Sequence, residues 1–155
     1  MPKFVVQEHH ATHLHFDFRL EIDGVLKSWA IPKGPSMNPK DKRLAIMVDD
    51  HALEYGSYEG IIPGGQYGSG SVVIWDSGDY EPANGNIAEG KLEFILHGKK
   101  LKGSFVLAKM SGKINEWLLI KKRDDFAQEA YRIETMLTPE LQKRLTMKVP
   151  PCAAS

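Results

Sequence analysis

The stretch His13-Leu14-His15-Phe16-Asp17-Phe18-Arg19-Leu20 alternates polar and apolar residues without interruption. A period of two is the mark of a β-strand with one buried face. Leu14, Phe16, Phe18 and Leu20 then face a core, while His13, His15, Asp17 and Arg19 share the opposite face. Just downstream, Asp23-Gly24 is a tight-hairpin signal between strands expected at 16–22 and 25–31. Further strand-like segments follow at 43–48, 71–76, 91–97, 104–109 and 116–122, with Gly and Pro as punctuation between them. The glycine-rich stretch at 60–70 has no Gly-Lys-Ser/Thr ending and no helix after it, so it reads as a turn-rich connection rather than a nucleotide loop. About seven or eight short strands predict a mainly β fold, and a compact closed barrel is preferred because closure removes exposed edges.

The periodicity changes near Asp124. Phe126, Ala130, Ile133, Leu137, Leu141 and Leu145 recur at helical spacing, and Thr138-Pro139-Glu140 has the form of an N-cap followed by proline in the first turn. Helices are predicted at 125–136 and 139–147, packed on the barrel, with a frayed end at 148–155. The expected division is a barrel over 1–127 and a C-terminal helical extension and tail over 128–155.

The chain has 155 residues, with 20 Lys+Arg balancing 20 Asp+Glu. No apolar run reaches the roughly 20 residues a membrane helix needs, and no secretory signal follows Met1. The one cysteine, Cys152, allows no intrachain disulfide, which suits a cytoplasmic, monomeric protein away from membranes. Neutral total charge does not exclude a nucleic-acid partner, because binding patches are local. Residues 91–123 hold nine basic and two acidic side chains, an excess of +7 that could track a phosphate backbone or merely solvate outer strands. Trp29, Trp75 and Trp117 stand in apolar strand settings and read as core.

The polar face of the opening stretch carries the chemistry. Side chains two residues apart on a strand stand about 6.6 Å apart and can converge on one ion. His15 and Asp17 can therefore share a metal, and Arg19, always protonated, suits a phosphate oxygen beside it. Six extended residues would hold His9 about 20 Å from His15, so the chain must turn between them if His9 is to join. Spacing leaves the choice among His9, His10 and His13 open. Taken alone, His51 reads as a structural histidine and Tyr55 as core or rim. His-x-Asp on a barrel strand also suits a cupin-like oxygenase.

Longer motifs narrow these choices. The segment Gln7-Glu-His9-His-Ala11-Thr-His-Leu-His15-Phe-Asp17-Phe-Arg19-Leu-Glu21 is followed by Asp23-Gly-Val-Leu-Lys-Ser-Trp-Ala-Ile-Pro-Lys33-Gly. Then come Lys42-Arg43-Leu-Ala, Asp50-His51-Ala-Leu-Glu-Tyr55, Glu59-Gly-Ile-Ile-Pro63-Gly-Gly-Gln-Tyr67-Gly-Ser-Gly and Ile74-Trp75-Asp76. Together they resemble the 3′-phosphoesterase module of bacterial DNA ligase D, over about residues 4–127. The resemblance implies a small β-barrel with Mn²⁺-dependent activity on DNA or RNA–DNA 3′ ends at a primer-template. Such enzymes remove a 3′-terminal ribonucleoside and then the 3′-phosphate, leaving a 3′-hydroxyl. It places metal ligands on His9, His15 and Asp17, phosphate-binding residues on Arg19, His51 and Tyr55, and further basic residues on Lys33 and Arg43. Zn²⁺ or Co²⁺ could fill the same donors. A DNA ligase, polymerase or end-binding protein is expected to act in trans. A non-catalytic DNA-end-binding module is the other alternative.

Overall fold

The computed structural model describes residues 1–64 and 69–151. Among them, nine strands run β1 (Lys3–His10), β2 (Leu14–Ile22), β3 (Val25–Ile31), β4 (Arg43–His51), β5 (Gly60–Ile62), β6 (Gly70–Asn86), β7 (Lys91–His97), β8 (Lys102–Lys109) and β9 (Glu116–Lys121). A 3₁₀ turn covers Leu53–Ser57, and one short helix, α1, covers Pro139–Arg144. All strand pairs are antiparallel, in the order β1-β2-β3-β4-β9-β8-β7-β6, and β6 returns to β1 to close an eight-stranded barrel. β5 lies outside the ring as an extra partner of β6.

Closure depends on the length of β6. Its first part pairs with β1 and its second with β7, the handover falling at Asp79. At the adjoining Gly78, a Cβ would stand 2.2 Å from the His97 carbonyl oxygen, so the backbones meet there only because no side chain intervenes. The Asp23-Gly24 hairpin forms as expected, both residues taking left-handed φ (51° and 80°) as a type I′ turn demands.

Alternation sorts the side chains into two cores. Inside the barrel lie Phe16, Phe18 and Leu20 of β2 with Trp29, Trp75, Trp117, Phe94 and Phe105. All three tryptophans are buried, and Trp29 meets Trp117 edge-on at 5.8 Å. A smaller core of Leu26, Tyr55, Tyr58 and Val72 forms on the outer side, where the 3₁₀ turn and the residues after it fold back as a roof over β1 and β3.

The predicted helix at 125–136 does not form; that segment turns at 125–126 and 129–130 and then runs as a strap without helix across one end of the barrel. Its backbone finds partners elsewhere: Gln128 N–H donates to the Met37 carbonyl (2.9 Å), and the Glu134 carbonyl accepts from Trp75 Nε1 (2.7 Å). Met136 and Leu137 N–H both donate to the buried Glu8 carboxylate (2.6 and 3.0 Å). Tyr131 and Ile133, two residues apart, turn onto the main core, an extended rather than a helical spacing. The second predicted helix is realised as α1 alone, with Thr138 Oγ1 accepting from Leu141 N–H at 3.2 Å. It stops at Leu145, where the chain turns extended and Met147 bridges to Ile61 of β5. Gly60–Ile62 of the glycine-rich stretch are strand; its residues 65–68, and Cys152 with the rest of the expected frayed end at 152–155, lie outside the described residues. No helix among the described residues is long and apolar enough to cross a membrane.

Candidate active site

The turn that His9 requires is the β1–β2 hairpin. Antiparallel register sets His9 directly opposite His15, Gln7 opposite Asp17 and Val5 opposite Arg19. His9, His15, Asp17 and Arg19 emerge on the outer face of the barrel, away from the Phe16–Phe18–Leu20 core face. The two imidazoles lie 4.8 Å apart between centroids, with Asp17 between their inward nitrogens: His9 Nδ1 is 3.5 Å from Oδ2 and His15 Nε2 is 3.3 Å from Oδ1.

The outward nitrogens explain this aim. His9 Nε2 is 3.1 Å from the Ser69 carbonyl and His15 Nδ1 is 3.2 Å from the His13 carbonyl. A carbonyl can only accept, so each ring carries an N–H on that side and, when neutral, turns a bare nitrogen inward. Such an N–H-to-carbonyl contact is the usual support of a metal-bound histidine. Among the described residues, His9, His15 and Asp17 bring their donors within 4.8 Å of one another, a set that fits one divalent ion. His10 instead pairs with Glu8 at 2.6 Å, and His13 is exposed.

Charge in the cluster is strongly coupled. Burial alone would raise the Asp17 carboxyl, but His15 and His9, whose inward nitrogens donate to it when the rings are protonated in the absence of an ion, together with the Arg19 charge outweigh burial and hold Asp17 well below the usual carboxylate range. Burial disfavours a charged His15, yet the hydrogen bond and charge of Asp17 raise it overall.

Arg19 is buried and fixed on three sides. Its Nε donates to Gln7 Oε1 (2.6 Å), its Nη1 to Ser28 Oγ (2.7 Å), and its Nη2 lies 3.5 Å from Asp17 Oδ2. The guanidinium stacks 4.7 Å from the Tyr55 ring centroid. Gln7 also reaches the roof, its Nε2 donating to the carbonyls of Tyr55 (2.8 Å) and Tyr58 (3.2 Å). His51, at the end of β4, lies against Tyr55 at 4.5 Å. Its Nδ1 is buried with no partner among the described residues. Burial first, then the Arg19 charge, pushes the His51 imidazole down to about 4.

The structure thus brings His9, His15, Asp17, Arg19, His51 and Tyr55 into one cluster under the roof. Lys33 is exposed just past the end of β3. Arg43 is not in the cluster: it shares the inward face of β4 with Ala45, lies 3.5 Å from Asp41 and acts electrostatically on Tyr131. Two residues that hold Arg19, Gln7 and Ser28, were not singled out from the sequence, although alternation puts Gln7 on the same face as His9.

Residues 7–109 match the family described as the DNA ligase D 3′-phosphoesterase domain. The chain belongs to that family. This phosphoesterase-family chain is 45% identical over 139 residues to a multifunctional non-homologous end joining protein LigD of Pseudomonas aeruginosa, covering 86% of the chain and 16% of the relative. It is 42% identical over 135 residues to the LigD repair protein of Mycobacterium tuberculosis, covering 86% and 18%. The Mycolicibacterium smegmatis LigD is 44% identical over 131 residues, covering 79% and 17%. The chain therefore spans under a fifth of the length of the curated relatives it matches.

Proposed function

We propose that this 3′-phosphoesterase-family chain is a Mn²⁺-dependent hydrolase of nucleic-acid 3′ ends, removing a 3′-terminal ribonucleoside and a 3′-phosphate to leave a 3′-hydroxyl. The observation that carries this is the His9–His15–Asp17 donor set with its two bare inward nitrogens, set against a buried arginine. The names of the relatives support a place in end-joining DNA repair, with DNA ends as substrate and a ligase, polymerase or end-binding protein acting in trans. A monomeric, cytoplasmic enzyme is part of the same proposal, as is a catalytic unit over 1–127 with 128–155 appended.

The geometry supports the following residue roles. His9, His15 and Asp17 hold the ion, which when bound supplies Lewis-acid polarisation of the phosphate and acidifies water. Two imidazoles and a carboxylate also suit Zn²⁺ or Co²⁺, so Mn²⁺ rests on the family resemblance. Arg19, with Nε and Nη1 already committed, offers Nη2 to a phosphate oxygen on the Asp17 side. His51 is neutral near pH 7 and so donates a hydrogen bond to phosphate; a dianionic phosphate would offset the Arg19 charge that keeps its proton off. Tyr55 packs against the Arg19 guanidinium and the His51 ring, and its hydroxyl is assigned to a hydrogen bond with the substrate phosphate. Lys33 is assigned to the strand beyond the reacting phosphate. We assign the attack to water; a phosphorylated His51 trapped by acid quench would overturn that.

The test is incubation with Mn²⁺ and a primer-template ending in one ribonucleotide or a 3′-phosphate. Conversion to a 3′-hydroxyl is expected, abolished in His9→Ala and His15→Ala. DNA binding without turnover under any divalent metal would instead indicate a silent end-binding module. Oxygen consumption with Fe²⁺ would indicate a cupin-like enzyme.

A further inference from the structure

The C-terminal segment after the strap lies outside the family match, yet it is bound to the roof of the site. The Ile61 N–H donates to the Thr146 carbonyl (2.9 Å), and the Lys148 N–H donates to the Ile61 carbonyl (3.1 Å). Tyr58 Oη donates to the Lys148 carbonyl at 2.8 Å. Upstream, Ser71 Oγ donates to Gln142 Oε1 of α1 at 2.8 Å, and Ser71 stands opposite His10 in the β1–β6 register. Two backbone bonds therefore tie Thr146 and Lys148 to Ile61 of β5, and a hydroxyl bond ties Lys148 to Tyr58, three residues before Ile61.

Tyr58 in turn stacks on Tyr55, with centroids 5.3 Å apart and planes 12° apart. Arg19 lies on the Tyr55 ring at 4.7 Å, and Lys148 Nζ lies 5.5 Å from the Tyr58 centroid. The result is a column of two parallel phenol rings with a cation near each end. Rings present negative faces, so cations at both ends favour the stack. The hydroxyl of Tyr58 also fixes the stack from the side.

We propose that the segment 146–148 is a positioning clamp for this site: it holds Tyr58, and through Tyr58 it seats the Tyr55 ring against Arg19 and His51. The inference rests on the assignment of Tyr55 and Arg19 to phosphate binding. It makes Tyr58 and the Lys148 backbone positioning residues, since neither touches the cation donors. Loss of the clamp lets the roof open without disturbing His9, His15 or Asp17.

The experiment uses the full chain in three variants. Tyr58→Phe keeps the stack but removes the hydroxyl bond. Lys148→Pro removes the N–H that Ile61 accepts. Lys148→Met removes the cation and leaves the backbone contacts. Turnover of a 3′-phosphate primer-template should fall on the order of threefold to tenfold in Tyr58→Phe and in Lys148→Pro, the range of one lost hydrogen bond. Mn²⁺ affinity should not move, because the metal donors are untouched, and the melting temperature should fall by only a few degrees, the effect of one lost hydrogen bond outside the barrel core. Lys148→Met should lose less than either. Hydrogen exchange of the Ile61 and Lys148 amides in the unaltered protein should report one shared opening, with both amides accelerated in Tyr58→Phe. Unchanged turnover and unchanged exchange in Tyr58→Phe and Lys148→Pro would overturn the clamp. A loss of Mn²⁺ affinity in step with turnover would also overturn it. If the unaltered chain has no phosphatase activity, the functional assignment fails, while the exchange data still decide whether the clamp exists.

Discussion

At the scale of single residues, the site is organised by groups that touch no substrate. Gln7 is fully buried and links three parts: it accepts from Arg19 Nε and donates to two carbonyls of the roof. Replacing it with leucine leaves a buried charged donor without its partner, which costs about 2 kcal/mol. Gln7→Leu should therefore lower the urea midpoint and weaken phosphate-end binding; an unchanged midpoint would mean that Arg19 finds another acceptor. His51 gives a pH prediction. Its folded value is about 4 against an ordinary 6.5. Between these values the unfolded chain holds a proton that the folded chain does not, so this group makes stability fall as pH drops from 6.5 toward 4. In the metal-free protein, an NMR titration of the His51 ring should show a midpoint near 4, and a midpoint near 6.5 would contradict the burial and the Arg19 proximity that set it.

At the scale of elements, the hairpin and the strap show what local pattern can and cannot settle. The β1–β2 hairpin follows from uninterrupted alternation in β2 and places His9 opposite His15 with no further device. The strap reads as a helix because Phe126, Ala130, Ile133 and Leu137 recur at helical intervals. It is extended because its amides and carbonyls meet stronger partners across the barrel end, Glu8 above all. Nothing local announces that a glutamate in β1 will lie beneath residues 136–137. Glu8→Ala leaves two amides without their charged acceptor and should destabilise the fold by about 3 kcal/mol. The check is denaturant unfolding with the strap amides followed by hydrogen exchange; protection of Met136 and Leu137 equal to that of the unaltered chain would refute the latch. The basic segment at 91–123 is likewise thinned by its surroundings. Lys113, Lys121 and Lys122 pair with Glu116, Asp124 and Glu93. Lys99, Lys100 and Lys102 of the β7–β8 turn line a cavity of about 360 Å³ beside Phe126.

At the scale of the whole molecule, the barrel acts as a rigid wall with its site on the outside. The three tryptophans are buried in the interior with Phe94 and Phe105. His9, His15 and Asp17, the group that could hold a metal ion, sit on the outer face between that packed wall and the Tyr55–Tyr58 roof. A cation bound only by the folded chain stabilises it by mass action, about 2.7 kcal/mol at a hundred times its Kd. For a chain of this size that is a rise of about 5–10 °C in Tm. Calorimetry with and without Mn²⁺ should show this rise, and His9→Ala should abolish it. An equal rise in His9→Ala would place the ion elsewhere.

Alternation, the Asp23-Gly24 turn and strand-sized apolar segments determine a closed β-barrel and put His15, Asp17 and Arg19 on one face, because period-two patterning and turn chemistry are local properties. The sequence by itself also marks His51 and Tyr55 through family resemblance. The resemblance names His9 over His10 and His13, and the tertiary structure supplies the reason, because cross-strand register sets His9 opposite His15. The tertiary structure alone sets Gln7 and Ser28 around Arg19, takes Arg43 out of the cluster, and makes of residues 125–148 a strap, the short helix α1 and a clamp instead of two longer helices. Those outcomes rest on partners dozens of residues away, and backbone groups follow the strongest available acceptor rather than the periodicity of their own segment.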